Sequence, residues 1–139
     1  MKISALDASN YFRGLLILIG RDGKLTDREA ALVRHAGKAL GFEQQFCDRA
    51  IQEVLENEHI ADTLPSFSSV AIAEKFIADG LTIAFEGTEI HIPEEEWLLS
   101  TAELHGLDAT WFEREKIKAR AHRGNPEHLE AENLSLEHV

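Results

Sequence analysis

Apolar positions recur at helical spacing along almost the whole chain. Ala8, Tyr11, Phe12, Leu15, Leu16 and Ile19 fall on one helical face, and Ile17 and Leu18 make the opposite side apolar too, so the first helix is predicted to be enclosed by neighbours. Leu32, Val33, Ala36, Ala39 and Leu40 define a second helix closed by Gly41, and Cys47, Ala50, Ile51, Val54 and Leu55 define a third. Beyond a polar link containing Pro65 and Ser66, a fourth stripe comprises Val70, Ala73, Ile77, Leu81 and Ala84. Pro93 followed by Glu94, Glu95 and Glu96 marks a fifth helix start, because proline suits the first turn and carboxylates suit the positive end of the dipole. Gly106 ends that helix, and Asp108 is a good N-cap for a sixth carrying Trp111, Phe112 and Ile117. Residues 82–92 are the one place where a short strand or hairpin competes.

The pattern predicts an all-α bundle of six helices, or seven if the end of the chain adds one. Residues 1–122 would form the helical domain, and 123–139 a polar, acidic tail with at most a short docked helix. The two halves of the domain can be laid over each other. A shift of 65 residues brings Gly41 onto Gly106, Phe46 onto Trp111, Glu29 onto Glu94, and Leu32 and Val33 onto Trp97 and Leu98. A shift of 64 brings Asp22 and Gly23 onto Glu86 and Gly87, and Phe12 onto Phe76. Two three-helix repeats, about residues 5–57 and 66–121, would pack around a pseudo-twofold axis with the first and fourth helices central.

Charge narrows the function classes. The 139 residues carry 25 acidic and 14 basic side chains, a net charge of −11, which repels a phosphate backbone. Nucleic acid is therefore not an expected partner; cations and basic protein surfaces are. The single cysteine, Cys47, can form neither an internal disulfide nor a CxxC pair, and "LLILIG" at residues 15–20 is far too short to span a bilayer. A cytoplasmic protein without membrane insertion is expected.

The stretch with most chemical suggestion is "IGRDGKLTDREA", residues 19–30. Set on an EF-hand loop, Asp22, Gly23, Leu25 and Glu29 take the fifth, sixth, eighth and twelfth positions, but the first and third fall on Leu18 and Gly20. That loop cannot by itself supply the six to eight oxygens calcium takes. The same residues read well as structure, with Asp22-Gly23 as a turn and Thr26 to Glu29 as a capping box. A divalent cation (Ca, Mg or Mn) would have to be shared between the halves, with Asp22, Asp27 and Glu29 meeting Glu86, Glu89 and Glu94. His91 lies close to these acids, whereas His35 and His105 have no matched partner at ligand spacing. Cys47 beside Phe46 reads as core packing, and no nucleophile–base pair or phosphate-cradling loop stands out, so no enzymatic activity is expected.

The run "IGRDGKLTDREAALVRHAGKALGF", with a degenerate second copy in "IAFEGTEIHIPEEEWLLSTAELHGL", resembles the TerB family. That family comprises tellurite-resistance-associated proteins and related domains, including the N-terminal region of DjlA-type co-chaperones. The resemblance covers roughly residues 7–120 and is strongest at 19–42. It implies a stress-response module acting through protein partners, with an indirect link to membranes, and an acidic cluster that binds a divalent cation. Asp22, Gly23 and Glu29 match the motif directly; the second loop has Glu86 for Asp, one extra residue, and Ile92-Pro93 where Thr-Asp would stand. Direct chemistry on an oxyanion such as tellurite is not expected of an acidic chain with one cysteine. A metal-free helical interaction domain is the alternative. The residues read as structural are Gly23, Thr26, Gly41, Gly87, Pro93 and Gly106.

Overall fold

Six helices form where the periodicity places them. The computed structural model describes residues 1–21, 25–56, 63–86, 89–122 and 125–137. In chain order the helices are α1 (Ala5–Gly20), α2 (Asp27–Ala39), α3 (Gln44–Glu56), α4 (Val70–Ala84), α5 (Ile92–Leu104) and α6 (Ala109–His122). The fold is an all-α bundle with its core between them. Among the described residues of 82–92 no strand forms: helix α4 runs on to Ala84, inside a segment whose Leu81 and Ile83 are buried, and α5 starts at Ile92. Gly87, the turn glycine expected there, lies outside the described residues.

Helices α1 and α4 are the most enclosed. Nine side positions of α1 are buried, from Asp7 to Ile19, and ten of α4, from Ile72 to Ala84. Continuous apolarity in sequence thus corresponds to packing on several sides. Tyr11 packs edge-on against Phe67 and Phe76, and Phe76 against Trp97, with Tyr11 and Phe76 centroids 5.3 Å apart. The sixth helix departs from expectation. Its buried residues are Phe112 and Ala119, while Ile117 is 68% exposed because it lies off that face.

Close helix packing depends on glycines within the helices. A Cβ on Gly37 of α2 would stand 2.6 Å from Cys47 Sγ and 2.8 Å from Phe12 Cε1. One on Gly80 of α4 would stand 2.7 Å from Leu98 Cδ2. These glycines let α3 approach α2, and α5 approach α4, more closely than any side chain would permit. Gly41 and Gly106, by contrast, are needed for their backbone: at φ 100° and 80° they end α2 and α5. Phe42 N then donates to Gly37 O, and Leu107 N to Ala102 O, at 3.0 and 2.9 Å, which satisfies the last carbonyls.

The C-terminal segment is not a tail. Strand β1 (Lys2–Ile3) pairs in parallel with β2 (Ser135–Leu136), with Lys2 opposite Ser135. Between α6 and β2, two 3-10 turns (Pro126–His128 and Glu130–Asn133) lie on the bundle, and Leu129, Ala131 and Leu134 are buried. Composition pointed to solvent because the acidic residues between these three face outward. These three apolar positions seat the segment against α2 and α4.

Gly37→Ala is expected to destabilise the fold by about 1–3 kcal/mol, despite the ~0.5–1 kcal/mol that alanine gains over glycine in a helix. Combining it with Cys47→Ala should recover part of the loss. Urea unfolding of both variants checks this, and a Gly37→Ala protein as stable as wild type would contradict the close packing.

Candidate functional site

The start of α2 and the end of α4 meet at Glu86, which is reached by Thr26 and Arg28. Thr26 caps α2 by accepting from Glu29 N at 3.0 Å, and Glu29 Oε1 accepts from Thr26 N at 3.2 Å, which completes the capping box read from the sequence. The Thr26 hydroxyl also donates to Glu86 Oε2 at 3.3 Å, at the end of α4. A hydroxyl can accept and donate at once, so one threonine both caps α2 and ties it to the end of α4. Arg28 adds an ion pair to Glu86 Oε1 at 3.6 Å. The Glu86 side chain is only 8% exposed while that of Arg28 is 85% exposed, so the pair itself contributes no more than about 1 kcal/mol.

The other candidate ligands are spread around this junction. Glu29 and Glu94 are buried in the first turns of α2 and α5, where the positive helix end favours a carboxylate. Pro93 stands in the first turn of α5, as expected. Asp27 is exposed, and Glu89 pairs with Arg120 of α6 at 3.3 Å. Asp22 and Gly23 lie outside the described residues. Among the described residues, no group of three or more His, Cys, Asp or Glu is arranged to hold a metal ion. Of the candidate ligands, Glu29 serves a cap, and Glu86 and Glu89 take part in ion pairs.

The histidines have structural positions. His105 ends α5; its Nδ1 lies 2.8 Å from Thr101 O, and its Nε2 accepts from Phe67 N at 3.1 Å. One neutral tautomer, with the proton on Nδ1, satisfies both bonds. His35 pairs with Glu132 of the C-terminal segment. His91 is the N-cap residue of α5 without a side-chain cap bond. Cys47 is fully buried, and burial pushes its thiol above the ordinary range, the opposite of what an attacking thiolate needs.

Two features escaped the sequence reading. A cavity of about 180 Å³ between α4, α6 and the C-terminal segment is lined by Thr82, Glu115, Lys118, His122, His128 and Glu130, among others. The rings of His122 and His128 stack there, 3.8 Å between centroids. Its charges are largely paired, Lys118 with Glu115 and Glu130 with Lys75, each at 3.3 Å. The second is Asp79, at the middle of α4 and fully buried. Tyr11 Oη donates to Asp79 Oδ2 at 2.6 Å, Ala131 N to the same oxygen at 2.9 Å, and Glu130 N to Oδ1. Burial pushes the Asp79 carboxyl up to about 7 against the pull of these three donors. An acid inside an apolar helical stripe is the signal that could have revealed it.

Comparison with protein-family models, with curated proteins and with solved structures finds no match. No described helix is long and apolar enough to cross a membrane.

Thr26→Ala removes both the cap and the bridge to Glu86, and should cost about 1 kcal/mol in thermal or urea unfolding. Glu86→Gln should cost less, because glutamine still accepts from Thr26. The reverse order of the two effects would show that the junction does not rest on the cap.

Proposed function

We propose that this chain is a non-catalytic helical module that acts by binding another protein, with the paired acidic loops as its most distinctive surface. The observation that carries this reading is the junction at Thr26, Arg28 and Glu86, where polar groups at the start of α2 and the end of α4 are tied to one another. The strongly shifted carboxyl, Asp79, is fully buried beneath the C-terminal segment, and its bonds go to Tyr11 and to that segment's amides. With a net charge of −11, the favoured partner surface is basic. The TerB resemblance extends the proposal to a cytoplasmic role in stress response.

The two-repeat architecture belongs to the same proposal. Helices α2 and α5 each span 13 residues and start 65 positions apart, and their N-caps Thr26 and His91 and terminal glycines Gly41 and Gly106 keep that spacing. Equivalent C-terminal hydrogen bonds, Phe42 to Gly37 and Leu107 to Ala102, repeat it again. A second reading, in which a divalent cation loads the loops, is favoured by the burial of Glu29 and Glu94 at equivalent helix starts. There, carboxylates from both halves would be held in fixed directions.

Calorimetric titration with Ca²⁺, Mg²⁺ and Mn²⁺ separates the readings. Glutamine works at the third position of a capping box, so Glu29→Gln with Glu86→Gln removes two charges while keeping the cap. Ion binding abolished in that variant supports the cation-loaded module; absence of heat with every ion supports the metal-free one. The shared premise is tested by capture of partners from cells at low salt. Partners retained there and released at about 0.5 M salt are expected, since screening weakens attraction between exposed charges. No salt-sensitive partner would sink the proposal.

A further inference from the structure

The C-terminal segment is attached to the bundle differently from any helix. Its buried apolar anchors are Leu129, Ala131 and Leu134, and its regular backbone pairing is the short β1–β2 ladder. Around that ladder, Ser135 N donates to Met1 O at 3.0 Å and Glu137 N to Ile3 O at 2.8 Å. Ion pairs of Glu130 with Lys75 and of Glu132 with His35 hold its flank, and a buried polar contact holds its inner side. Two consecutive amides, of Glu130 and Ala131, converge on the Asp79 carboxylate, which Tyr11 holds from the other side. These anchors are three members of a core cluster that the helices, α1 and α4 above all, supply for the most part. Segments with few apolar anchors open at lower free energy than the body they cover.

We propose that residues 125–137 form a releasable strap, latched by the Asp79 carboxyl group on the amides of Glu130 and Ala131, that opens while the helical bundle stays folded.

Opening admits water to Asp79 and removes the cause of its raised pKa. In the closed form the carboxyl titrates at about 7, whereas its ordinary value is 3.8. Closing therefore takes up a proton between these values. The preference for the closed form is complete below the ordinary value and is lost as pH rises through the closed-form value. The latch accordingly loosens towards neutral pH and tightens in acid.

Other charged groups modulate this. From α1, Tyr11 faces Asp79 directly; from the strap, Glu130 raises the Asp79 pKa by its own charge and is paired with Lys75 of α4. From α6, Glu115 and Lys118 line the cavity next to Glu130. From α2, His35 grips Glu132 of the strap. His122 of α6 and His128 of the strap stack beside the same cavity.

The test is amide hydrogen exchange of the full-length chain, resolved by residue, from about pH 5 to 8 after correction for intrinsic rates. The amides of Glu130, Ala131, Ser135 and Glu137 report the strap, and those of Leu15 and Leu18 report the bundle. The strap is expected to open more readily than the bundle, with an opening constant that rises about tenfold per pH unit up to about 7 and then levels. His35→Ala should keep that rise. Asp79→Asn, which cannot titrate, should flatten it to within about twofold. If that variant does not fold, Tyr11→Phe decides: it removes a donor to the ionised form, so the levelling point should move to higher pH. Strap amides that exchange only through the opening that exposes α1 would overturn the proposal. So would a rise that survives Asp79→Asn, or a levelling point unmoved in Tyr11→Phe.

Discussion

A carboxylate at the centre of a buried helix must be given donors, and much of the arrangement around α4 follows from how Asp79 receives them. Tyr11 of α1 supplies the first through its phenol, which fixes the rotation of α1 against α4. The backbone of the C-terminal segment supplies the other two, and so draws residues 125–137 onto a bundle that their composition would have left in water. Leaving such a group unsatisfied would cost several kcal/mol. The same bonds therefore serve as both packing and specificity. They admit one register of the segment, the one that brings Ser135 beside Lys2 and Leu136 beside Ile3.

Around that centre the helices close to distances that only small residues allow. Gly37 and Gly80 are each filled by a neighbour's side chain, and Gly14 receives the ring of Phe76 with 2.7 Å to a built Cβ. The periodicity of a helix says which face is buried but not how near the neighbouring backbone comes. A glycine inside an amphipathic stripe reads as a mild weakness in propensity. In the folded chain it is a contact surface, and the aromatic rings of Phe12 and Phe76 occupy the space it leaves.

The acidic loops show how one set of residues serves two descriptions. Thr26 and Glu29 satisfy each other's amides, which is local and readable from four residues of sequence. The bond from Thr26 to Glu86, by contrast, spans 60 residues and exists only because α4 ends beside the start of α2. Candidate ligands separated in this way cannot be counted from sequence spacing. Glu89, which looks like a ligand in the chain, is directed to Arg120 on α6, and Arg120 in turn lies over Phe85 at 5.3 Å.

The chain by itself determined the six helices, because apolar periodicity, capping residues and terminal glycines are local features whose energetics act within a few turns. It also determined the capping box at Thr26, the buried state of Cys47 and the enclosure of α1. Tertiary structure decided what depends on distant partners. Ile117 points to solvent because the α6 face seated on α4 is set by Phe112 and Ala119. The expected tail became part of the fold because three spaced apolar side chains and two backbone amides found a slot and a carboxylate waiting on other helices. Two strand residues at each end of the chain have no alternating pattern to announce them; they pair because the helices between them bring the ends together.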